Sequence, residues 1–527
     1  MRFLRRLSAW PRERAWFAGI LLLALALRVW DLGARSLWFD EATEYWVATA
    51  PLSGLADAVR TGSGDPPLFS FLLHFWMKLG TSEAWLRLLS VAASVTGVAG
   101  LFVLGRRLGG LPTAIAAGVL AAVNTPDIRY AQDLGQYALM LATVSWSWVA
   151  LHGLWNEGGR KWTVAWSIIA CLATTAYYAA ACTVLVPFGC ALAEALVRRD
   201  RARVRPLAAA LGLYLVLTAP VIWSILPAQL SRVLDTRAIV AESVQQRPEG
   251  IAMVWAWLGN LFAFHFSGWP YSHVPAWIPI AGWFVLLPFA LRAQSRWSLW
   301  FVAAWAVYGI AGLLELFPFG FRWGLILLPP VILLAAVGAT AAVRVRVLKL
   351  VAALAWVALF VSSVVSLPNL TFRNAIDPTE AMPWPETEEM RPVVDYWHQQ
   401  WMRSQPTYVF YGAAPVFAYY AQRYPDTRTT LPPTWSLECW HQAEPPDYCR
   451  RGNIYYGRWL RSMPTPERKI ASLAETLGTQ PPEIWLVFSH VHGTESVDII
   501  QRLRANGYEL VEFAEWRAAG ACLMRLQ

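Results

Sequence analysis

Long apolar runs separated by short polar segments dominate the first two thirds of the chain, and their length predicts membrane-spanning helices. A helix needs about 20 apolar residues to cross the hydrocarbon core of a bilayer. The runs that approach this length lie near 15–30, 84–104, 112–124, 136–155, 162–178, 181–197, 207–226, 276–291, 297–313, 323–341 and 350–367. We therefore predict an α-helical polytopic membrane protein with about eleven transmembrane helices.

Three other apolar stretches are predicted to lie along the outer face of the membrane without crossing it. They are residues 40–50, 65–78 and 251–266. Counting either of the last two as a crossing would move later basic clusters to the opposite side of the membrane, against the positive-inside rule. We assign 251–266 as an amphipathic or re-entrant helix within a long external loop.

Clusters of Lys and Arg between the apolar runs predict the orientation. They include Arg106-Arg107, Arg160-Lys161, Arg198 to Arg205, Arg292 to Arg296, Arg344 to Lys349 and the arginine-rich amino terminus. An excess of basic residues marks cytoplasmic loops. The segment around residue 40 and all residues after 367 are then outside, which in a bacterial inner membrane is the periplasmic side.

The composition changes after Leu367. Residues 368–527 are richer in proline, charge and turn residues, so we divide the chain into a transmembrane domain, 1–367, and a soluble periplasmic domain, 368–527. Strand-like segments in the second domain alternate with helical ones, which predicts an α/β fold. The predicted strands are 407–411, 484–488, 508–513 and 521–526, and the predicted helices are 414–422 and 496–505.

The composition supports a membrane protein and excludes one class of partner. Hydrophobic residues make up 56% of the 527 residues and charged residues only 15%. The net charge of +9 could suggest nucleic acid, but the basic residues are confined to short clusters between apolar runs. We expect no nucleic-acid partner; the lipid bilayer is the predicted partner.

Two adjacent carboxylates follow the first predicted span. Asp40 and Glu41 lie between the aromatic residues Trp38-Phe39 and Tyr45-Trp46. An ionisable pair at the edge of the hydrocarbon is costly to desolvate, so it needs either a function or access to water. A solvated acidic loop is the alternative interpretation.

The residues around this pair occur in a specific order. After Asp40-Glu41 come Asp65-Pro66-Pro67-Leu68, Leu86-Arg87-Leu88 in the second span, Leu104-Gly105-Arg106-Arg107-Leu108 and, much later, Phe321-Arg322-Trp323 with Pro329-Pro330. This series resembles the polyprenyl-phosphate-sugar-dependent glycosyltransferases of the GT-C class, in particular bacterial relatives of protein O-mannosyltransferases and aminoarabinose transferases. The likeness covers about the first 140 residues and returns at residue 321. It implies a GT-C-like fold with interfacial helices on the outer face.

Sugar transfer from a lipid phosphate needs a base for the acceptor hydroxyl and positive charge for the departing phosphate. We predict Asp40 as the base, because the resemblance makes the matching Asp the key acidic residue, with Glu41 assisting binding or positioning. Arg87 and Arg322, at the outer ends of predicted spans, are the candidates for the phosphate. Their alternative role is snorkelling to the interface.

Further substrate-binding candidates are Asp65, His74, Lys78 and Tyr137. His74 and Lys78 share one face of the 65–78 helix and could meet a lipid headgroup. Asp65 precedes Pro66 where protein mannosyltransferases have His, which puts acceptor handling in doubt. Relatives often carry an Arg two residues before the position of Tyr137, where this chain has Gly135, which puts a direct phosphate contact from that loop in doubt. Arg129 in the same loop is the alternative candidate.

Together these features predict an inverting glycosyltransferase. It would move a sugar from a polyprenyl-phosphate carrier to a hydroxyl of a glycolipid, polysaccharide or protein on the periplasmic side. The alternative, a transporter or flippase of a lipid-linked saccharide, predicts polar residues near span centres and two-fold repetition, which the sequence does not display. We expect no cofactor, while the need for a divalent metal is left open.

Two pairs of residues in the second domain are further candidates for a disulfide or a metal site. Cys439 and Cys449 are a candidate disulfide in an oxidising compartment. His490 and His492 follow a predicted strand, and without a Cys or acidic partner at a recognised spacing they are assigned to an exposed turn rather than to a metal site.

Overall fold

The structure is a computed structural model. It describes residues 2–62, 65–230, 255, 259–268, 273–313, 321–345, 348–371, 388–428, 448–457, 481–491, 495–516 and 518–527. Within these ranges a large helical domain is followed by a smaller domain built around one sheet.

The helical domain contains sixteen α-helices among the described residues. In chain order they are α1 (Arg2–Val29), α2 (Phe39–Ala48), α3 (Leu55–Gly62), α4 (Pro67–Trp76), α5 (Glu83–Gly109), α6 (Leu111–Ala122), α7 (Thr125–Ala131), α8 (Tyr137–Asn156), α9 (Gly159–Ala176), α10 (Ala180–Val197), α11 (Arg201–Ser224), α12 (Phe264–Ser267), α13 (Trp277–Ala293), α14 (Ser295–Leu313), α15 (Leu328–Ala342) and α16 (Lys349–Thr371). A 3₁₀ helix, Phe321–Leu327, leads into α15.

Each of the eleven predicted spans falls on one of these helices, and the protein is a multi-pass membrane protein. Six described segments are long and apolar enough to cross a bilayer by length and composition. They are α5, α8, α10, α11, Arg322–Ala342 and Lys349–Leu367. A seventh candidate is the pair α6 and α7, which is bent by 56° at its break. The full count of eleven crossings stays a prediction.

Polar caps and prolines set where several helices begin. The Ser82 side chain accepts a hydrogen bond from the backbone of the third residue of α5, and Asn124 does the same for α7. Asp200 caps α11 in this way. Pro67 and Pro112 occupy first-turn positions, where the missing N–H is not needed.

Arg28 stabilises the break between α6 and α7. Its side chain is fully buried and donates to the carbonyls of Ala121 and Ala122 in the last turn of α6. The same guanidinium pairs with Asp127 at 2.8 Å. This charged group inside the bundle is therefore used to join α1 to the broken helix.

Two predicted interfacial helices are present as α2 and α4. The third predicted segment, 251–266, is only partly described, and its described part is buried, unlike an amphipathic surface helix. Gly259–Ala263 forms a π-helical turn that continues into α12, and Phe262, Phe264, His265 and Phe266 are all fully buried. This segment packs against α7, α13 and α16, so it is surrounded by protein.

The second domain is an α/β domain, as predicted. Its six strands are β1 (Thr407–Val409), β2 (Tyr448–Arg451), β3 (Ile454–Gly457), β4 (Glu483–Ser489), β5 (Tyr508–Trp516) and β6 (Ala519–Leu526). Its helices are α17 (Met390–Gln400), α18 (Ala414–Ala421), α19 (Pro425–Arg428) and α20 (Glu495–Ala505). The sheet order is β2-β3-β1-β4-β6-β5, with β1 parallel to β3 and β4 and the other pairs antiparallel.

All four predicted strands and both predicted helices are confirmed, whereas β2, β3, α17 and the short α19 were not predicted. The helical domain ends at Thr371, so the predicted boundary at residue 367 lies inside α16. Cys439 lies outside the described residues, and its disulfide to Cys449 stays a prediction.

The second domain contacts the amino-terminal helices directly. The Trp46 indole on α2 donates to the carbonyl of Pro415 at 3.0 Å, and the Leu37 backbone donates to the Tyr420 hydroxyl at 2.7 Å. Arg423 pairs with Glu83 at the start of α5 at 2.6 Å. These contacts hold the second domain over α2, which carries the two carboxylates.

Candidate functional site

The site is organised around the amino-terminal end of α2. Its cap is Trp38, whose backbone N–H donates to the Glu41 side chain at 3.3 Å. Carboxylates in the first turn of a helix are stabilised by its unpaired N–H groups and its dipole. Asp40 and Glu41 both occupy this first turn. A local helix start therefore explains why two acidic residues are tolerated here.

Glu41 points into the protein and pairs with Arg87 on α5. The Arg87 Nε and Nη2 atoms approach the two Glu41 oxygens at 2.7 and 2.6 Å. Both side chains are almost completely buried. The other N–H groups of Arg87 donate to the carbonyls of Leu32, Arg35 and Ser36. All five donors of the guanidinium are thus engaged.

This arrangement bears on two sequence-based roles. For Glu41 it favours positioning over substrate binding, and it engages Arg87, the predicted phosphate ligand, in other bonds. Burial alone raises the pKa of Glu41, but the charge and hydrogen bonds of Arg87, with a 2.7 Å bond from the Leu134 backbone, lower it below the ordinary value. Glu41 is therefore a charged, fully bonded group without access to a substrate. Arg87 likewise has no donor left for a phosphate, so its geometry does not support the predicted phosphate contact.

Asp40 points the other way, towards Arg322 on the 3₁₀ helix before α15. Arg322 Nη1 lies 2.6 Å from Asp40 Oδ2, and the two side chains are 25% and 44% exposed. The guanidinium also lies against two indoles, 5.3 Å from the Trp38 ring and 5.6 Å from the Trp323 ring. The structure therefore brings Asp40 and Arg322 together in a solvent-accessible, aromatic-lined position.

Two further carboxylates lie near Asp40. Glu44 follows Asp40 by one helical turn, is buried and accepts a hydrogen bond from the Ser70 hydroxyl at 2.5 Å. Burial first, and then the charges of Asp65 and Asp40, raise the pKa of Glu44 to about 8. Burial and the charge of Asp40 raise the pKa of Asp65 to about 6. Three acidic groups thus share one region, and Glu44 is largely protonated at neutral pH.

Glu44 is a site residue that sequence reasoning did not select. The i, i+4 spacing from Asp40 was the available signal, since it places both side chains on one face of α2. Gln136 is a second site residue that the sequence did not indicate, because its side-chain amide donates a hydrogen bond to Asp65 at 2.6 Å.

The charge of Asp40 acts on both Asp65 and Tyr137, and their roles in substrate binding stay predictions. The Tyr137 ring packs against Tyr130 at 5.1 Å, and the charges of Arg322, Asp65 and Asp40 all act on it. In the preceding loop, a Cβ added at Gly135 would meet no atom within 4 Å. The larger side chain that relatives carry there would have space, so its absence is not a packing requirement.

His74 and Lys78 lie elsewhere. His74 Nδ1 is 2.9 Å from the carbonyl of Ala48, the last residue of α2 and so the end opposite Asp40. Lys78 lies over the Phe75 ring at 4.7 Å. α4 lies along α2 with Ser70 at Glu44 and His74 at Ala48, so this part of α4 is next to the far end of α2 from Asp40.

His490 reaches the site from the second domain, contrary to the exposed turn expected from the sequence. Its ring stacks on Phe39 with centroids 4.8 Å apart and planes 13° apart. Its Nδ1 lies 2.6 Å from a carboxylate oxygen of Glu388. His492 lies outside the described residues.

The candidate site can therefore do two things chemically. An accessible carboxylate can take a proton, and an arginine beside it can bind an anion such as a phosphate. Within the described ranges, no three His, Cys, Asp or Glu side chains are arranged to hold a metal ion.

Comparison with known proteins identifies the fold class of the chain. Residues 64–223 match the family model for dolichyl-phosphate-mannose-protein mannosyltransferase. No curated protein sequence matches the chain.

Solved structures resemble the whole chain. ArnT from Cupriavidus metallidurans, in the apo state, superposes with a TM-score of 0.59 at 14% identity, covering 97% of this chain and 98% of ArnT. ArnT bound to undecaprenyl phosphate gives 0.57 at 14% identity with the same coverage. The oligosaccharyltransferase of Archaeoglobus fulgidus, in complex with zinc and sulfate, gives 0.51 at 12% identity, covering 89% of this chain and 67% of that one.

The chain thus has the GT-C fold of ArnT, with a small sheet domain at its carboxyl end. The resemblance to polyprenyl-phosphate-dependent GT-C proteins that the motifs predict is confirmed at this level.

Proposed function

We propose that this protein is an inverting glycosyltransferase that moves a sugar from a polyprenyl-phosphate carrier to an acceptor hydroxyl. The observation that carries the proposal is the exposed Asp40–Arg322 pair, 2.6 Å apart, on a GT-C fold. A base and a phosphate-binding cation are the two groups that this reaction requires. The family match over residues 64–223 and the undecaprenyl phosphate bound by ArnT support a lipid-phosphate donor.

Donor binding would change the partner of Arg322. Without substrate the guanidinium neutralises Asp40. A donor phosphate offers the same guanidinium two oxygens in a planar, bidentate arrangement, which competes well with one carboxylate oxygen. Transfer of Arg322 to the phosphate would leave Asp40 ionised and available as a base.

The proposed reaction is a single displacement. Asp40 takes the proton of the acceptor hydroxyl as its oxygen attacks the anomeric carbon. The bond from that carbon to the phosphate oxygen breaks, and the electron pair leaves with the polyprenyl phosphate, whose negative charge Arg322 stabilises. Direct attack inverts the anomeric centre.

Glu41 and Arg87 would act through position. Their buried pair ties the first turn of α2 to α5, so it fixes where Asp40 projects. Misplacement of a catalytic group by about 1 Å can cost roughly 100-fold in rate. We therefore assign Arg87 and Glu41 as positioning residues and Arg322 as the phosphate-binding residue.

The membrane orientation belongs to the same proposal. Basic clusters between the helices support a cytoplasmic amino terminus, so Asp40 and the second domain would face the periplasm of a bacterial inner membrane. The acceptor would be a glycolipid, polysaccharide or protein on that side.

The test is transfer by the purified full-length protein. A panel of radiolabelled polyprenyl-phosphate sugars would be offered with each acceptor class, with and without EDTA. Labelled acceptor together with free polyprenyl phosphate is the expected result, and NMR of the product would show inverted anomeric configuration. Movement of labelled donor across proteoliposomes without any product would instead support the transporter alternative.

A further inference from the structure

A turn in the second domain presents a histidine ring to the first turn of α2. His490 stacks on Phe39, whose neighbour in sequence is Asp40, with ring planes only 13° apart. The same ring lies 6.2 Å from that of Trp38, the cap of α2. The contact therefore falls on the two residues that start the helix carrying the base.

The backbone that carries His490 is constrained. His490 has a φ of 52°, in the left-handed region that is uncommon for a residue with a side chain. A Cβ added at Gly412 would lie 2.7 Å from the Ser489 carbonyl and 2.9 Å from the His490 Cβ. Gly412 and His490 follow the adjacent parallel strands β1 and β4, at the edge where α/β sheets often place functional residues.

Glu388 fixes the ring and its charge. It is 3% exposed, and its second oxygen accepts a hydrogen bond from the Ser489 hydroxyl at 2.7 Å. The charged groups that face His490 in the described structure are Glu388, Asp40 and Arg322. Burial lowers the pKa of His490, but the hydrogen bond and charge of Glu388, with the charge of Asp40, outweigh it and raise the pKa above 6.5.

Resting on the proposed function, we infer that His490, held by Glu388, is a positioning residue of the transferase site: it packs against the start of α2 through Phe39 and, as an imidazolium ion, provides positive charge at the first turn of α2, which carries Asp40. This charge becomes important when Arg322 moves to the donor phosphate. Asp40 would then lose its close cation, and the His490 imidazolium would remain as a positive charge at the first turn of α2.

A purely structural role predicts something different. If the stack only joined the two domains, removing it would lower stability or turnover without changing the pH at which the base ionises. The pH dependence of kcat/KM separates the two roles, because the acid limb reports the ionisation of essential groups in the free enzyme.

The variants are chosen to separate charge from stacking. His490→Phe keeps an aromatic ring over Phe39 but has no charge, whereas His490→Asn tolerates the left-handed backbone and has neither ring nor charge. Glu388→Gln keeps the His490 ring while removing the anion that favours its charged form. His398→Phe is the matched control, since that ring stacks on Tyr424 at 3.7 Å and bonds Asp426 at 3.0 Å within the second domain.

All three site variants should move the acid limb of kcat/KM upward by about one pH unit, which is a roughly tenfold loss of rate below the limb. The His398→Phe limb should match the wild type. An unchanged acid limb in both His490→Phe and Glu388→Gln would overturn the inference and leave His490 as a packing residue.

Thermal unfolding against pH keeps this test separate from the proposed function. A raised folded pKa means that the His490 contribution to stability is present below 6.5 and is lost as the pH rises through the folded value. Stability should fall less with rising pH in His490→Phe than in the wild type, while the fall caused by Glu44 should be common to both proteins. A wild-type protein that transfers no sugar would refute the proposed function. Equal pH dependence of unfolding in the wild type and in His490→Phe would refute a charged His490 in the folded protein.

Discussion

Arg87 and Arg322 look alike in the sequence, and the structure predicts opposite consequences for removing them. Arg87→Met deletes five hydrogen-bond donors and leaves the Glu41 carboxylate buried beside an apolar side chain. Removing one partner of a buried ion pair typically costs about 3–5 kcal/mol. Arg322→Ala removes a pair whose members are 25% and 44% exposed, a kind worth roughly 0–1 kcal/mol.

Both variants should lose activity, but for different reasons. Arg322→Ala should remain folded but lose turnover by roughly 100-fold to 1,000-fold, the range for removing one donor to a developing anion. Arg87→Met should lose activity because the protein unfolds or α2 shifts. Thermal unfolding in detergent, followed by tryptophan fluorescence, and sugar transfer would be measured on the same preparations.

A double variant supplies the control. Arg87→Met with Glu41→Leu replaces the whole pair by apolar residues and should recover much of the lost stability, because no unpaired charge remains buried. An Arg87→Met protein that unfolds at the wild-type temperature but no longer binds polyprenyl phosphate would refute the positioning role. That result would return Arg87 to the phosphate.

Three other predictions follow from the site and the membrane topology. The pKa of Glu44 is raised to about 8 in the folded protein, so Glu44 ionises at a lower pH in the unfolded chain than in the folded one. Stability should therefore fall as the pH rises from 4.5 to 8, and Glu44→Gln should flatten that fall in unfolding measurements. Gln136→Leu removes the 2.6 Å bond to Asp65 and should lower kcat/KM several-fold with little change in unfolding temperature; an unaffected rate would remove Gln136 from the site. A reporter enzyme fused after Leu367 should be active only in the periplasm, and cytoplasmic activity there would contradict the eleven-span topology.

The helices and the sheet core were predictable because their signals are local. Apolar runs near the bilayer thickness identify spans, and a run such as Ile484 to Phe488 identifies a strand buried on both faces. Strands β2 and β3 are short, and β2 carries two arginines at the edge of the sheet, so no such run marks them. Helix α17 was missed because its burial depends on packing against α18 and the sheet.

Which of Asp40 and Glu41 is buried and which is exposed was not predictable from the sequence. Neighbouring residues on a helix project about 100° apart, so one carboxylate can be buried while the other is exposed. Which one is buried depends on Arg87 of α5, which pairs with Glu41, and on Arg322, which is 282 residues from Asp40 in sequence. His490 likewise reaches Phe39 only because the second domain docks on α2.

The central claim is that Asp40 is the base of a glycosyl transfer, and the most direct measurement compares Asp40→Asn with the wild type. Transfer from a defined polyprenyl-phosphate sugar to a defined acceptor would be measured together with donor binding. The variant keeps the shape of the side chain but cannot accept the proton, so the rate should fall by roughly 100-fold to 10,000-fold while donor binding survives. Near-normal transfer by Asp40→Asn would contradict the account.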